Sequence, residues 1–189
     1  MDPKSVMEVA RGDYGANAGA RVYDGIYGAW ANGPPSLTDG DNFTGWQTVH
    51  NYVNGVIYAG SKISAAHIRD GLANTYIIGE KYLAPDHYTN GNDHADNENM
   101  YVGDNQDNMR WTGSGTMAAD PMYNVHHPPY QDRGGFGGNF RSFGSAHAGS
   151  FHAAMCDGSV QSISYNIAQE IHYRLGNRKD GLIVDGASF

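Results

Sequence analysis

The stretch from His147 to Ser164, HAGSFHAAMCDGSVQSIS, constrains the fold of this 189-residue chain more than any other. Phe151 to Cys156 and Ser159 to Ser164 are two short runs joined by Asp157-Gly158. A two-residue Asp-Gly connection favours a type I′ turn, with both central residues at positive φ, so the segment is predicted to fold as an antiparallel hairpin. Placing Cys156 opposite Ser159 sets Met155 against Val160 on one face. It sets Ala154 against Gln161 and His152 against Ile163 on the other. His147 stands just ahead of the first strand, where it can cap the loop or hold a ligand, and for a lone histidine a structural hydrogen bond is the commoner role.

Nine residues separate His147 from Asp157-Gly158. This spacing resembles the C-terminal His-x9-Asp-Gly signature of a large bacterial family of type IV prepilin-like (pseudopilin-like) proteins, with His147, Asp157 and Gly158 in the motif positions. Three further segments fit the resemblance in the expected order. Asp13 to Gly19 (DYGANAG) is similar to the family's DYAGNAG-type segment, Ile68 to Lys81 (IRDGLANTYIIGEK) to its ITDGTSNT-hydrophobic-GE-K segment, and Arg174 to Gly181 (RLGNRKDG) to its terminal RxDG-type segment. The resemblance implies a pilin-like globular head and a role in a surface assembly. Family members usually begin with a prepilin leader and a hydrophobic helix of about 20 residues, long enough to span a membrane. No window of this chain approaches 18 consecutive apolar residues, and Met1 to Arg11 lacks the basic and apolar regions of a secretory signal. The expectation is a processed or truncated form, or a relative that keeps the head without the assembly helix.

The length suits one domain, residues 1–189, and the expected fold is α+β: a β-rich, antiparallel sheet with short helices and long Gly/Asn-rich loops. Glycine supplies 26 residues, about twice its usual share, while only 17% of residues are charged. Turns and ordered loops follow from that glycine content, and 13 Tyr, 6 Phe and 3 Trp supply enough burial to argue against disorder. A net charge of −8 leaves no basic stripe to displace counterions from a phosphate backbone, which argues against nucleic acid as a partner. The lone Cys156 permits no internal disulfide and reads as a small apolar residue rather than a nucleophile.

Along the chain, a strand is expected near Val53 to Ala59 and a short helix near Ser64 to Arg69, ended by Asp70-Gly71. Thr75 to Leu83 (TYIIGEKYL) reads as a central strand. Glu80 and Lys81 are adjacent there, so at most one of them faces the core, and a buried Glu80 would require a partner. Asn166 to Leu175 reads as a helix with Ile167, Ile171 and Leu175 on its apolar stripe, His172 on the flank and Gly176 as its stop. Arg174, Arg178 and Lys179 would complement the dipole at its C-terminus. Leu182 to Val184 would form an edge strand or dock against a neighbour.

Between Lys81 and Arg110 the chain carries six acids and no Lys or Arg. An oxygen-rich loop of this kind invites a Ca²⁺ site, with Asp93, Asp96, Glu98, Asp104 and Asp107 as candidate ligands, although no EF-hand spacing is present. A solvated loop of Asx-turns is the competing structural reading. His87 and His94 lack the partners zinc would need. The Gly-rich segment after Pro128-Pro129 lacks the Lys-Ser/Thr of a P-loop, and Tyr130, Phe136, Phe140 and Phe143 within it suit packing or a subunit contact better than a sugar platform.

Two function classes follow. The first is a non-enzymatic structural subunit, exported to the cell surface or beyond, that associates with copies of itself in a filament, tube or pseudopilin-type apparatus. The second is an enzyme, a metal-dependent hydrolase using His147, Asp157, His152 or the acidic loop. No HExxH or GxSxG motif supports the enzyme. A Ca²⁺-assisted glycan- or surface-binding module is a third reading that shares the extracellular setting.

Overall fold

β-Branched and aromatic residues are concentrated in the run that begins at Thr75, and in the computed structural model this run occupies the middle of the sheet. The structure describes residues 10–21, 36–44, 46–115, 126–135, 139–182 and 184–185. Its strands are β1 (Tyr14–Arg21), β2 (Tyr76–Glu80), β3 (Met109–Gly115), β4 (Tyr130–Gln131), β5 (Gly144–Ser145), β6 (Ser150–Met155) and β7 (Val160–Ser164). The helices are α1 (Leu37–Asp41), α2 (Trp46–Tyr52) and α3 (Gln169–Gly176), with single 3₁₀ turns at Ala65–His67, Leu72–Asn74 and Pro85–His87. Five strands form the main sheet in the order β3-β1-β2-β6-β7, and β4 and β5 pair beside it. The fold is α+β and β-rich, as expected. The sheet is mixed, however: β1 runs antiparallel to β2 but parallel to β3.

One face of the sheet carries the main core, where Tyr76, Phe143, Phe151, Ala153, Met155, Ile163 and Leu175 are buried together. Gly79 is part of this layer because a Cβ there would meet the Phe143 ring at 2.8 Å. The other face carries Ile78 and His152, both exposed.

The hairpin forms one register step away from the expected pairing. Phe151 stands opposite Ile163, His152 opposite Ser162, Ala153 opposite Gln161 and Ala154 opposite Val160. The turn explains the slip. Gly158 has φ +89°, but among the described residues no non-glycine has positive φ, so Asp157 does not supply the first half of a type I′ turn. Instead Gly158 N donates to Met155 O (3.0 Å) and Met155 N to Ser159 O (2.8 Å), closing a three-residue loop with glycine at the left-handed position. Ile163 thereby joins Phe151 in the core, and His152 stays outside.

Residues 53–59 are not a strand; they follow α2 as irregular chain. Their backbone is engaged elsewhere. Val56 N and Ile57 N both donate to Asn17 O (3.0 Å each), and Gly55 packs so closely on β1 that a Cβ would lie 2.1 Å from the carbonyl carbon of Ala18. Arg178, buried, donates to the carbonyls of Val53, Gly55 and His50, and Lys179 Nζ donates to Asn51 O (2.8 Å). These cations therefore satisfy carbonyls at the end of α2, rather than at the end of the helix that precedes them. Arg174 instead pairs with Glu170 one turn back on α3.

α3 fills the predicted helix from its second turn, with Leu175 fully buried. His172 is buried rather than flanking: Tyr76, Phe143 and Phe151 surround its ring at centroid distances of 5.7, 6.0 and 6.1 Å. Of the apolar tail, Leu182 is outside any strand, Ile183 lies outside the described residues, and Val184 is buried in the main core.

Candidate functional site

The four motif-like segments meet at one end of the sheet. Asn17 of β1 is fully buried, and its Nδ2 donates to Tyr76 O (2.8 Å) and Gly176 O (3.0 Å), tying β1 to β2 and to the end of α3. The Asp70 carboxylate accepts from Asp180 N and Gly181 N (2.8 Å each), which joins IRDG to RKDG. Cys156 N donates to Thr75 O (2.9 Å) and Asp157 N to Leu72 O (3.2 Å), seating the hairpin turn on the same segment. Each bond spans segments far apart in sequence, so the polar motif residues hold the fold closed at this end.

Asp157 is accounted for by its turn. Its Oδ1 accepts from Ser159 N (2.8 Å) and Ser159 Oγ (2.7 Å), and these bonds hold the carboxyl below the usual carboxylate range. Its stabilising effect is therefore present above the ordinary Asp pKa and lost as pH falls through the depressed one. Asp157→Ala is expected to lower Tm by on the order of 2–4 °C, the scale of one turn contact in a chain of this size, with the sheet intact by circular dichroism. An unchanged Tm would count against this role.

His147 lies at the opposite end of β6. A six-residue strand separates it from Asp157 by roughly 20 Å, too far for one small ligand to touch both. There His147 meets Glu80 and His152. Glu80 ends β2 and His152 is on β6, neighbours on the open face. Glu80 Oε2 accepts from His152 N (2.7 Å) and lies 3.3 Å from His152 Nδ1, while Oε1 lies 3.4 Å from His147 Nε2. The two imidazoles stand nearly perpendicular, with centroids 5.2 Å apart. The loop carrying His147 is fixed from both sides: His147 N donates to Ser145 Oγ (3.2 Å), and Tyr165 OH donates to His147 O (3.1 Å).

A cleft of about 470 Å³ adjoins this group, lined by Glu80 and His147 together with Asp13, Tyr88, Asp96 and Asp132. Tyr88 OH donates to Asp132 Oδ2 (2.5 Å), and burial raises the pKa of both groups. Lys81, the member of the Glu80-Lys81 pair that is buried, also borders the cleft. Its Nζ donates to Asp96 Oδ1 (2.7 Å), Ala95 O (3.1 Å) and Asp107 O (3.1 Å).

The acidic loop is folded around such bonds. Asp93 accepts from Ala84 N and Ala95 N, Asp107 from Glu98 N, Asp104 from Ala59 N, and Glu98 from Asn105 Nδ2. Asp93, Asp96, Glu98, Asp104 and Asp107 do not bring three carboxylates within 4.8 Å of one another, whereas Glu80, His147 and His152 do form such a group of donors. Arg110 is fully buried, which lowers its pKa to about 10 even with Asp107, Asp93 and Asp96 opposing the shift. His87 hydrogen-bonds Asn90, and His94 packs on Phe140. Phe143 is core, and Phe136 lies outside the described residues. Burial pushes the Cys156 thiol up to about 11, leaving it protonated at neutral pH.

Sequence reasoning singled out Glu80 and the histidines separately and did not join them. The usable signal was parity: Glu80 ends a central strand, and His152 alternates outward on a strand of the predicted hairpin. A family model described as "Protein of unknown function (DUF1559)", SBP_bac_10, matches residues 2–170. No curated protein and no solved structure matches the chain.

Proposed function

Because this chain belongs to the DUF1559 family of proteins of unknown function, we propose that it is a non-enzymatic structural subunit of a pilin-like assembly at or beyond the cell surface. The His-x9-Asp-Gly, DYGANAG, IRDG and RKDG segments, resembling those of prepilin-like proteins, support this reading, and so does the β-rich α+β architecture. The observation that carries self-association is an apolar groove on the open face of the sheet. Tyr14, Ala16, Tyr58, Ile78, Met100 and Met109 line a space of about 560 Å³. Within this lining Tyr14 is 57%, Met100 43% and Ile78 38% exposed, unburied apolar surface that suits contact with another protein surface. The groove joins the low charge density that suggested association in the sequence, whereas Val184 of the apolar tail and Phe143 of the aromatic Gly-rich loop are inside the core. Among the described residues no helix is long and apolar enough to cross a membrane.

Analytical ultracentrifugation over a wide concentration range, paired with negative-stain electron microscopy, tests the reading. Concentration-dependent oligomers, tubes or filaments are expected, and Ile78→Lys, an exposed substitution, should shift them to monomer. Strict monomers at high concentration, with and without Ca²⁺, would overturn self-association and move the weight to a monomeric binding module.

A further inference from the structure

We propose that Glu80, His147 and His152 form a binding site for a first-row divalent transition metal of the Zn²⁺ class, with at least one coordination position left open. Two imidazole nitrogens and a carboxylate make a donor set that suits such ions, whereas Ca²⁺ and Mg²⁺ take oxygen throughout. With bonds of about 2.0–2.1 Å, two ligands of a tetrahedral ion stand about 3.3–3.4 Å apart. The carboxylate offers one oxygen to each ring, Oε1 at 3.4 Å from His147 Nε2 and Oε2 at 3.3 Å from His152 Nδ1, and a small turn of the carboxylate presents a single oxygen to both. All donor atoms of the group lie within 4.8 Å of one another, and it is the one group of three or more such donors among the described residues. The remaining edge, between the imidazoles, closes by rotation of two rings whose side chains are 58% and 47% exposed.

The surroundings fix the ligands as outer-shell groups do in metal sites. His152 N–H orients the Glu80 carboxylate, and Ser145 and Tyr165 hold the backbone of His147. Three protein ligands leave one or more positions for water or an exogenous ligand, and Glu80 and His147 both border the neighbouring cleft. The competing account is an exposed carboxylate that hydrogen-bonds two imidazoles and binds no ion.

Isothermal titration of the full chain with ZnCl₂, in buffer first freed of metal, separates the two. One Zn²⁺ per chain is expected, not displaced by millimolar Ca²⁺. Glu80→Gln, His147→Gln and His152→Gln should each weaken binding by at least about tenfold, the lower bound for disturbing even an outer-shell partner. Imidazole ¹⁵N spectra provide a second readout: the His147 and His152 resonances should move on addition of Zn²⁺ while that of buried His172 stays in place. No binding at 100-fold excess would overturn the site, as would binding unchanged by all three variants. Tm measured without metal identifies any variant that has lost its fold, and the remaining variants then decide. The site adjoins the apolar groove, since Tyr14 borders both, but the readouts are separate: loss of Zn²⁺ binding leaves the sedimentation result standing, and strict monomers leave the titration standing.

Discussion

Replacing Lys81 by alanine is expected to destabilise the protein by about 3–5 kcal/mol, the range for removing one partner of a buried ion pair. The corresponding fall in Tm is on the order of 10 °C for a chain of this length. Lys81 is 3% exposed, and each of its three N–H donors has a partner: Asp96, Ala95 O and Asp107 O. Alanine would leave the Asp96 carboxylate buried without its hydrogen-bonded cation, with Arg11 at 3.5 Å and the more distant Arg110 charge as compensation. Burial, joined by the Arg110 charge, lowers the Lys81 pKa although Asp96 raises it, and a buried pair of this kind is often replaced by apolar residues at little cost. The double variant Lys81→Met, Asp96→Leu is therefore expected to cost less than the two single changes added together. Urea denaturation of the four proteins in this cycle measures the difference, with Lys81→Ala alongside as a fifth. A loss below about 1 kcal/mol in Lys81→Ala would rule out this account.

Acidification from pH 7 to pH 5 is expected to remove about 3–4 kcal/mol through buried His172 and half-buried His127, at about 1.4 kcal/mol per pH unit for each. Burial holds His172 neutral in the native state down to about pH 3. His127 is held down to about pH 4, chiefly by burial and then by Arg141 and His126. The unfolded chain protonates both near 6.5, so below that pH it binds more protons than the native state. Their neutral burial thus carries no penalty above pH 6.5. Stability declines as pH falls from there, to about 4 for His127 and about 3 for His172. Equilibrium unfolding at half-unit intervals between pH 7 and 4.5 gives the slope directly. His172→Phe should flatten it by about half, and a slope unaltered in that variant would assign the acid sensitivity to other groups.

The parts of the fold legible in the sequence are those whose burial shows in side-chain chemistry. The Phe151–Ile163 hairpin and the Leu175 helix carry apolar residues at the right period, and Tyr76 to Glu80 was legible by its β-branched and aromatic content although an irregularity after Tyr76 breaks its alternation. β1 was not legible because its sequence, YGANAGAR, lacks the β-branched residues that mark a strand. Its small side chains serve close approach instead: a Cβ on Gly15 would lie 2.5 Å from the Arg110 side chain, and one on Gly19 would lie 2.3 Å from Gly55 N. The hairpin register was misread because Asp-Gly fits two loop lengths, and the choice between them rests on Cys156 and Asp157 bonding to Thr75 and Leu72. In the acidic loop the Asp96 carboxylate and the Asp107 backbone carbonyl accept from Lys81, and Asp93, Asp96 and Asp107 oppose Arg110, so the two cations that bracket the loop in sequence are drawn into it, which a count of acids alone does not reveal. The candidate site depended on a contact between β2 and β6 that local pattern alone does not reveal.

The nine residues between His147 and Asp157 act as a ruler. Both ends of β6 are anchored, by Cys156 and Asp157 docking on residues 72–75 at one end and by Ser145 and Tyr165 holding His147 at the other. Side chains alternate along the strand, so a one-residue insertion or deletion between the anchors would invert its parity, pointing His152 at Phe143 and Phe151 at solvent. Only a change of two residues would preserve which side chains face inward, and it would still displace one anchor by a full pleat. A fixed interval between a histidine and an Asp-Gly pair is thus what a strand clamped at both ends requires, even though the two residues never touch.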